Sequence, residues 1–444
     1  MTYTSRISYF LRTWTLSLAT VFAAVAATAQ GNPKPLLLSD AIKLAQEQNS
    51  QVTIAKTAEK ISLSQFKQTE AIWLPQVTLS YTGFTTNQPL TAFGFKLQQA
   101  QVQSSDFIPA TLNSPGATSN VMTQLSVQQP LFNPDMTFLR KAALKESEVY
   151  AFKTQRTKEA VTMQVTNAYL QLEFAYEAVK VLQDALATVK EIYRFTNDRY
   201  QQGLLQKSDL LQVEVQVKTV ETQLAEARSQ ISNISDQLSQ LMNTEAGQVY
   251  STEPVILSVA DYSDSVSTAR SDIRAMNTAV LAYDLAIKST RNSMLPKLNA
   301  FGNYQLNDKK VFGFGANAYF AGLQLSWDIF KGNQAKNKAA TQTLEKTKLQ
   351  EQLQEQLQQG TVEIRKTKRQ LDDTRYRISQ QTTAAEQAEE ALRIIRNRYS
   401  QGLVNTTDVL MAQNQLAQQK MLLAQAQFMQ KSTLTYLQFL TTTK

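Results

Sequence analysis

The chain contains no cysteine and no histidine. Without cysteine there is no disulfide framework, no thiolate nucleophile and no acceptor for an N-terminal lipid anchor. Stability outside the cytoplasm must then come from packing and assembly. Without histidine the commonest general base, the usual zinc ligand and any Ser-His-Asp triad are gone. The ten methionines are scattered, so metal handling through thioethers gets little support. An enzyme is the least expected class, and no cofactor or metal site is expected. Glycine and proline are scarce, at 13 and 10 in 444 residues, while glutamine is abundant, which suits long exposed helices better than a compact globule. The one apolar run of note, Trp14 to Ala26, is shorter than the ~20 residues of a spanning helix. With Arg6 and Arg12 before it and Ala27-Thr28-Ala29 after it, residues 1–29 are expected to be a secretory signal peptide. The formal charge is +8, or +6 once Arg6 and Arg12 are removed. Basic residues lie dispersed among acids, which predicts a solvated surface and no nucleic-acid site.

What the chain does have is a phrase that occurs twice, 199 residues apart. The first copy runs from Arg199-Tyr200-Gln201-Gln202-Gly203-Leu204 to Asp209 and Leu211, and the second from Arg398-Tyr399-Ser400-Gln401-Gly402-Leu403 to Asp408 and Leu410. Each copy sits where one long helical pattern stops and another starts, so the protein reads as a tandem duplication of one helical design. Earlier markers agree. Trp73-Leu74-Pro75 answers Met294-Leu295-Pro296 at an offset of 221, whereas Leu131-Phe132 answers Ile329-Phe330 at 198. The difference places an insertion of about 22 residues within Thr82 to Asn120, a stretch rich in turn formers that reads as a long loop. The boundaries that follow are 30–243 for the first repeat, 244–268 for a connector with room for a short helix or strand, and 269–444 for the second repeat.

Apolar and polar residues alternate in Val77, Leu79, Tyr81 and in Val121, Thr123, Leu125, Val127. They alternate again in Leu323, Leu325, Trp327, Ile329, and less cleanly in 298–306, where Phe301 and Gly302 intrude. Period-2 alternation predicts strands over about 73–83, 121–131, 296–306 and 314–330. Their length of about ten residues fits a membrane-spanning strand, though a soluble sheet would alternate in the same way. The rest carries heptads. Val161, Val165, Ala168, Leu172, Ala175, Val179, Leu182, Leu186, Val189, Tyr193, Thr196 and Tyr200 step by four and three without a break. Val213 to Leu241 continues the pattern, and Leu371 to Tyr399 repeats it with Thr and Gln in the seam. Such a period means supercoiled neighbouring helices. A helix from Asn133 to Tyr200 would be ~100 Å long at 1.5 Å per residue, a rod rather than part of a compact domain.

At the repeated turn, Gly203 and Gly402 are expected to end their helices in the left-handed conformation. Ser208 and Thr406 or Thr407 are expected as caps of the next helices, with Asp209 and Asp408 at their positive ends. Capping leaves the repeated Arg-Tyr pair and Leu without a role, which points to binding or gating.

Taken whole, the mature chain resembles the TolC-like outer-membrane efflux channel family. The resemblance rests on the signal peptide, Leu38-Ser39-Asp40-Ala41-Ile42-Lys43-Leu44-Ala45, Leu74-Pro75, Gln129-Pro130-Leu131-Phe132 and the duplicated turn. It implies a mainly α fold with a β membrane portion: long coiled-coil helices in a trimeric α-barrel, and four strands per protomer in a twelve-stranded barrel. It implies a passive duct of a tripartite efflux or type I secretion system, in the outer membrane of a Gram-negative bacterium and extending into the periplasm. The implied partners are two further copies of the chain, outer-membrane lipid, a membrane fusion (adaptor) protein and an inner-membrane pump of the RND, ABC or MFS type. By position, Gly203, Leu204, Gly402 and Leu403 would form the periplasmic tips that dock the adaptor. Asp209 and Tyr399 would bond to each other across the entrance gate, and Asp408 would supply an acidic ring. Val404 and Met411 stand where the family's best-studied channels have an Arg and a second acid, implying a simpler gate. The alternative is a secreted coiled-coil scaffold or adhesin, which needs no barrel.

Overall fold

A computed structural model describes residues 33–257 and 262–442. The expected signal peptide lies outside them. Strand β1 (Lys34–Leu36) leads into α1 (Leu38–Gln48) and α2 (Ser50–Gln68), and a 3-10 turn (Thr69–Ile72) delivers the chain to β2 (Gln76–Thr86). Helices α3 (Pro89–Gln98) and α4 (Pro109–Asn113) follow, then β3 (Thr118–Phe132), α5 (Pro134–Gln201), α6 (Lys207–Met242) and β4 (Tyr250–Thr252). The second half comprises α7 (Ser271–Asn292), β5 (Lys297–Asp308), β6 (Ala316–Ser326), α8 (Gln334–Ser400) and α9 (Thr406–Thr441). Among the described residues, no helix is long and apolar enough to cross a membrane.

The chain divides into two units. Of the described residues, one unit comprises 33–55, 154–257, 262–271 and 357–442. Its core is the heptad seam: Val161, Val165, Leu172 and Val179 of α5 pack with Leu224, Ile231, Ile234 and Leu238 of α6, and Ala41 and Ala45 of α1 close the cluster. The connector between the repeats supplies β4, which pairs parallel with β1. Two tyrosines of α5 pin this small sheet. The Tyr169 hydroxyl donates to the Leu36 carbonyl (2.8 Å) and accepts from the Glu253 amide (2.9 Å), and the Tyr176 hydroxyl donates to the Tyr250 carbonyl (2.7 Å). These bonds satisfy polar atoms that a sheet of two three-residue strands cannot satisfy alone.

The other unit, residues 56–153 and 272–356, holds an antiparallel sheet of order β2-β3-β5-β6. Register assigns its faces. Val77, Leu79 and Tyr81 share one face with Val121, Leu125, Val127, Tyr304, Leu306, Leu323 and Leu325. Thr78, Ser80 and Thr82 share the other with Asn120, Gln124, Ser126, Asn303, Gln305 and Asn307. The polar face is laced across strands: Gln305 Nε2 donates to Gln124 Oε1 (3.1 Å) and Asn120 Nδ2 to Asn307 Oδ1 (2.9 Å). Leu79, Leu323 and Leu325 are 71%, 68% and 69% exposed, so much of the apolar face lies bare, while Val121 toward one end of it is buried.

Three expectations change. Strand β2 starts at Gln76, because Trp73 and Leu74 still close the 3-10 turn through bonds to Glu70 and Ala71. Strand β6 ends at Ser326, since Ser326 pairs with Lys297, the first residue of β5, and Trp327 to Phe330 have no ladder partner. The expected long loop between β2 and β3 is folded, with α3 and α4 each starting on a proline at the first helical position, where a missing N–H costs nothing. Phe301, which disturbs the alternation, lies against Phe320 (5.4 Å between centroids) and over Gly322, where a Cβ would stand 3.1 Å from the ring.

Candidate functional site: the paired helical turns

Both copies of the repeated phrase form the same turn. Gly203 and Gly402 take φ of +74° and +75°. The Gly203 amide donates to the Tyr200 carbonyl (2.9 Å) and the Leu204 amide to the Arg199 carbonyl (2.9 Å). The second turn repeats this, from Gly402 to Tyr399 (3.0 Å) and from Leu403 to Arg398 (2.9 Å). This is a Schellman motif, which satisfies the last carbonyls of α5 and α8. It explains the glycine, but it does not require the following leucines to stand in solvent. Leu204 and Leu403 are 66% and 62% exposed.

The helices after the turns start differently from the expectation. The cap positions are Gln206 and Asn405, which hold extended backbone, while Thr406 is already helical and Ser208 lies one residue inside α6. Asp209 and Asp408 close capping boxes: their Oδ2 atoms accept from the Gln206 amide (3.1 Å) and the Asn405 amide (3.2 Å). A carboxylate in the first turn also suits the positive end of the helix.

Tyr399 is buried at 4% exposure, and the expected bond to Asp209 is not made within the chain. Its hydroxyl lies 2.7 Å from Thr196 Oγ1 and 3.1 Å from Thr406 Oγ1. Thr196 already donates to the Ile192 carbonyl (2.8 Å). Its one proton is thus used, so Tyr399 donates to Thr196 and accepts from Thr406. Within the chain, Asp209 is engaged by its own helix start, and the phenol finds two hydroxyls inside the seam. Neither threonine is expected from the sequence as a partner of Tyr399: Thr406 reads as a candidate cap. Thr196 stood in the heptad list as a seam position, and its polarity was the available signal.

Arg199 crosses between the turns. Its guanidinium lies 4.5 Å over the Phe195 ring and donates to the Ser400 carbonyl (2.8 Å), one of the last carbonyls of α8. A Cβ at Gly402 would stand 3.2 Å from its Nη1. A cation here complements the negative end of α8. Around these contacts Val189, Ile192, Val213, Val217, Leu392, Val409 and Leu410 form one core, with Val404 packed against it. Met411 is 65% exposed, as are Leu211 (48%) and Val215 (67%) on α6. Exposed links join α6 to α9: Gln216 Nε2 to Asn414 Oδ1 (2.9 Å) and Thr407 Oγ1 to Gln212 Oε1 (3.3 Å). Further up, Glu221 is held below the usual carboxylate range by hydrogen bonds from Lys190 and Lys218. Among the described residues no group of His, Cys, Asp or Glu is placed to hold a metal ion.

The outer membrane efflux protein family model matches residues 41–244 and 263–443, which takes in both repeats. No curated protein matches the chain significantly. Solved structures do. The CmeC outer membrane channel of Campylobacter jejuni superposes with a TM-score of 0.78 at 16% identity, covering 91% of this chain and 85% of that one. The outer membrane protein VceC of Vibrio cholerae gives 0.75 at 20% identity, covering 91% and 95%. The open state of the MtrE outer membrane channel of Neisseria gonorrhoeae gives 0.72 at 17% identity, covering 92% and 89%. At these identities the likeness speaks for the fold, and the family match speaks for membership: the chain belongs to the outer membrane efflux protein family.

Proposed function

We propose that this outer membrane protein is one of three subunits of a passive export duct, docked at its helical turns by a periplasmic adaptor and fed by an inner-membrane pump of the RND, ABC or MFS type. The sheet carries the reading. It has one apolar face, one polar face and free edges at β2 and β6. Lipid supplies no partners for open strand edges, so such a sheet enters a bilayer only as part of a closed barrel. Three copies of four strands close one of twelve, lined by the Gln, Asn, Ser and Thr of the polar face. A secreted scaffold would have no use for this sheet, and family membership points the same way.

The exposed Leu204 and Leu403, held out by Gly203 and Gly402, support the docking role. Apolar side chains fixed in solvent on rigid turns suit a protein partner. Three copies of Asp408 would place one acidic ring at the entrance, with Met411 one turn further along α9 adding no charge. Tyr399, tied to Thr196 and Thr406, holds α8 against α5 and α9 and so serves the gate by a route other than a bond to Asp209.

The test is the state of the mature protein in outer-membrane fractions. A heat-modifiable trimer is expected, and monomer in the soluble periplasm would refute the channel. Leu403→Asp should then abolish export of a pump substrate while the trimer persists. Export at the wild-type level would remove the docking role from the turn.

A further inference from the structure

We propose that the β2–β3 connection is a folded lid on the outer mouth of the barrel, in which the α3 helices of three copies of this chain meet over the lumen. The inference rests on the trimeric duct proposed above. Which side of the sheet α3 occupies is fixed by its contacts. Gln99 Nε2, just past its end, donates to the Ser119 carbonyl (2.8 Å) and to Asn120 Oδ1 (3.0 Å), and Asn120 continues to Asn307 (2.9 Å). Phe95 lies against Phe84, 5.8 Å between centroids. Phe84, Asn120 and Asn307 all belong to the polar face. Helix α3 also lies against both β3 and β6. A helix attached next to one edge of the sheet and touching the other edge strand must cross the face between them, and here that is the face that lines the lumen.

The connection is a built element. Asp106 accepts from Lys96 Nζ (2.5 Å) and from the Gln103 amide (2.8 Å), and Phe93 meets Phe107 edge-on at 5.5 Å. Ala92 is buried at 1% exposure. Yet the opposite face of α3 is bare and apolar. Leu90 is 83% exposed and Leu97 57%, and between them no heavy atom lies within 4 Å of where a Cβ on Gly94 would stand. Spaced four and three apart, these residues share one helix face. Pairing of the β2 and β6 edges between copies would set three α3 helices at one height around one axis. The groups that face Leu90 and Leu97 there are the same residues of the other two copies, and Gly94 permits close approach. The lid gives the duct a constriction at the barrel mouth, against large solutes entering from outside. The equivalent β5–β6 connection of the second repeat, residues 309–315, has no room for such an element.

The absence of cysteine makes the test direct, because any disulfide of a Gly94→Cys variant must join two copies. After copper-phenanthroline oxidation, a denaturing gel should show about two thirds of chains as covalent dimer, since three thiols around a threefold axis can pair only once. Val311→Cys, in the β5–β6 connection, should stay monomeric. Leu97→Cys replaces Gly94→Cys if that variant does not assemble. Absence of dimer in an assembled variant, with the unheated sample still trimeric, would overturn the lid and leave the duct standing. Loss of the trimer in the unaltered protein would overturn both. A Leu90→Ser/Leu97→Ser variant should raise single-channel conductance with the trimer intact, and unchanged conductance would count against the constriction.

Discussion

Removing one oxygen from Tyr399 tests the hydroxyl chain at the turns. In Tyr399→Phe the ring and its contact with Phe195, 5.1 Å between centroids, stay in place. Two hydrogen bonds go, to Thr196 and to Thr406. Both threonines are buried, at 0% and 2% exposure, so water does not readily replace the phenol. Thr406 loses its acceptor and Thr196 its donor. At about 0.5–1.5 kcal/mol per bond, the local loss is about 1–3 kcal/mol. Unfolding of a large trimeric membrane protein is a poor gauge of so local a change, because it is often irreversible. Native-state hydrogen exchange at the amides of α5, α8 and α9 nearest the turns reads it directly. Since 1.4 kcal/mol is a factor of ten, those amides should exchange about 5- to 150-fold faster. Thr196→Val, which keeps the volume, should give a comparable increase, and the double variant should fall short of the sum because both changes break the same bond. Tyr200→Phe is the control: Tyr200 is 36% exposed and should change little. If Tyr399→Phe left exchange unaltered while a crystal structure showed the rest of the cluster unmoved, the hydroxyl chain would contribute nothing and the reasoning would fail.

The two turn glycines should respond unequally to alanine. Gly203→Ala meets open space and carries only the cost of a left-handed non-glycine residue, about 1–2 kcal/mol, whereas Gly402→Ala must also displace Arg199 from 3.2 Å. The same exchange measurement should therefore show the larger acceleration at the second turn, and equal effects would contradict the Arg199 placement. In the β2–β3 connection, the hydrogen bond from Lys96 and that from the Gln103 amide hold the Asp106 carboxyl below its usual range. A lowered folded value means stability that is complete above the unfolded value of about 4 and lost as pH falls below it. Protease nicking within residues 99–108 should thus rise from about pH 4 downward in an acid-active protease assay. Asp106→Asn should show the raised nicking at every pH.

Much of the architecture was legible because it follows from periodicity. The heptads of α5 and α6 name residues most of which are buried, Tyr200 at the end of α5 being exposed, and alternation separates the two faces of the sheet. Boundaries were less legible, because they depend on partners. Nothing in Trp327 to Phe330 says that β5 has already ended, and nothing in Ser208 or Thr407 says that the residue three past each glycine takes the extended backbone of a cap. The helix α3 was missed for a different reason. Turn formers crowd the stretch around it, Thr82 to Asn120, and the proline at its first position reads as a breaker unless it is taken as a start signal. The Asp209–Tyr399 bond is not made within the chain, because resemblance carries over a pair of residues without their competitors, and the competitors are decided by local chemistry.

Those competitors also explain why one phrase, written twice, does two jobs. The duplication offset of 199 sets each residue beside its counterpart. Thr196, which accepts from Tyr399, answers to Ile395, and Thr406, which donates to it, answers to Lys207. The positions that answer to these two hydroxyls thus carry an alkyl chain and an ammonium in place of a phenol's partners, and Tyr200 stays at the surface while Tyr399 goes in. The arginines divide in the same way. Arg199 has the Phe195 ring beneath it, while Arg398 has Ile394 at that place and so no aromatic face on which to lie. With Arg199 reaching the end of α8 and Tyr399 reaching back to α5, both ties run between the first long helix and the second. A single repeat unit dimerised with itself would make each tie twice. Three side-chain differences on a common backbone turn make each only once, which gives the pair of turns a direction that neither turn has alone.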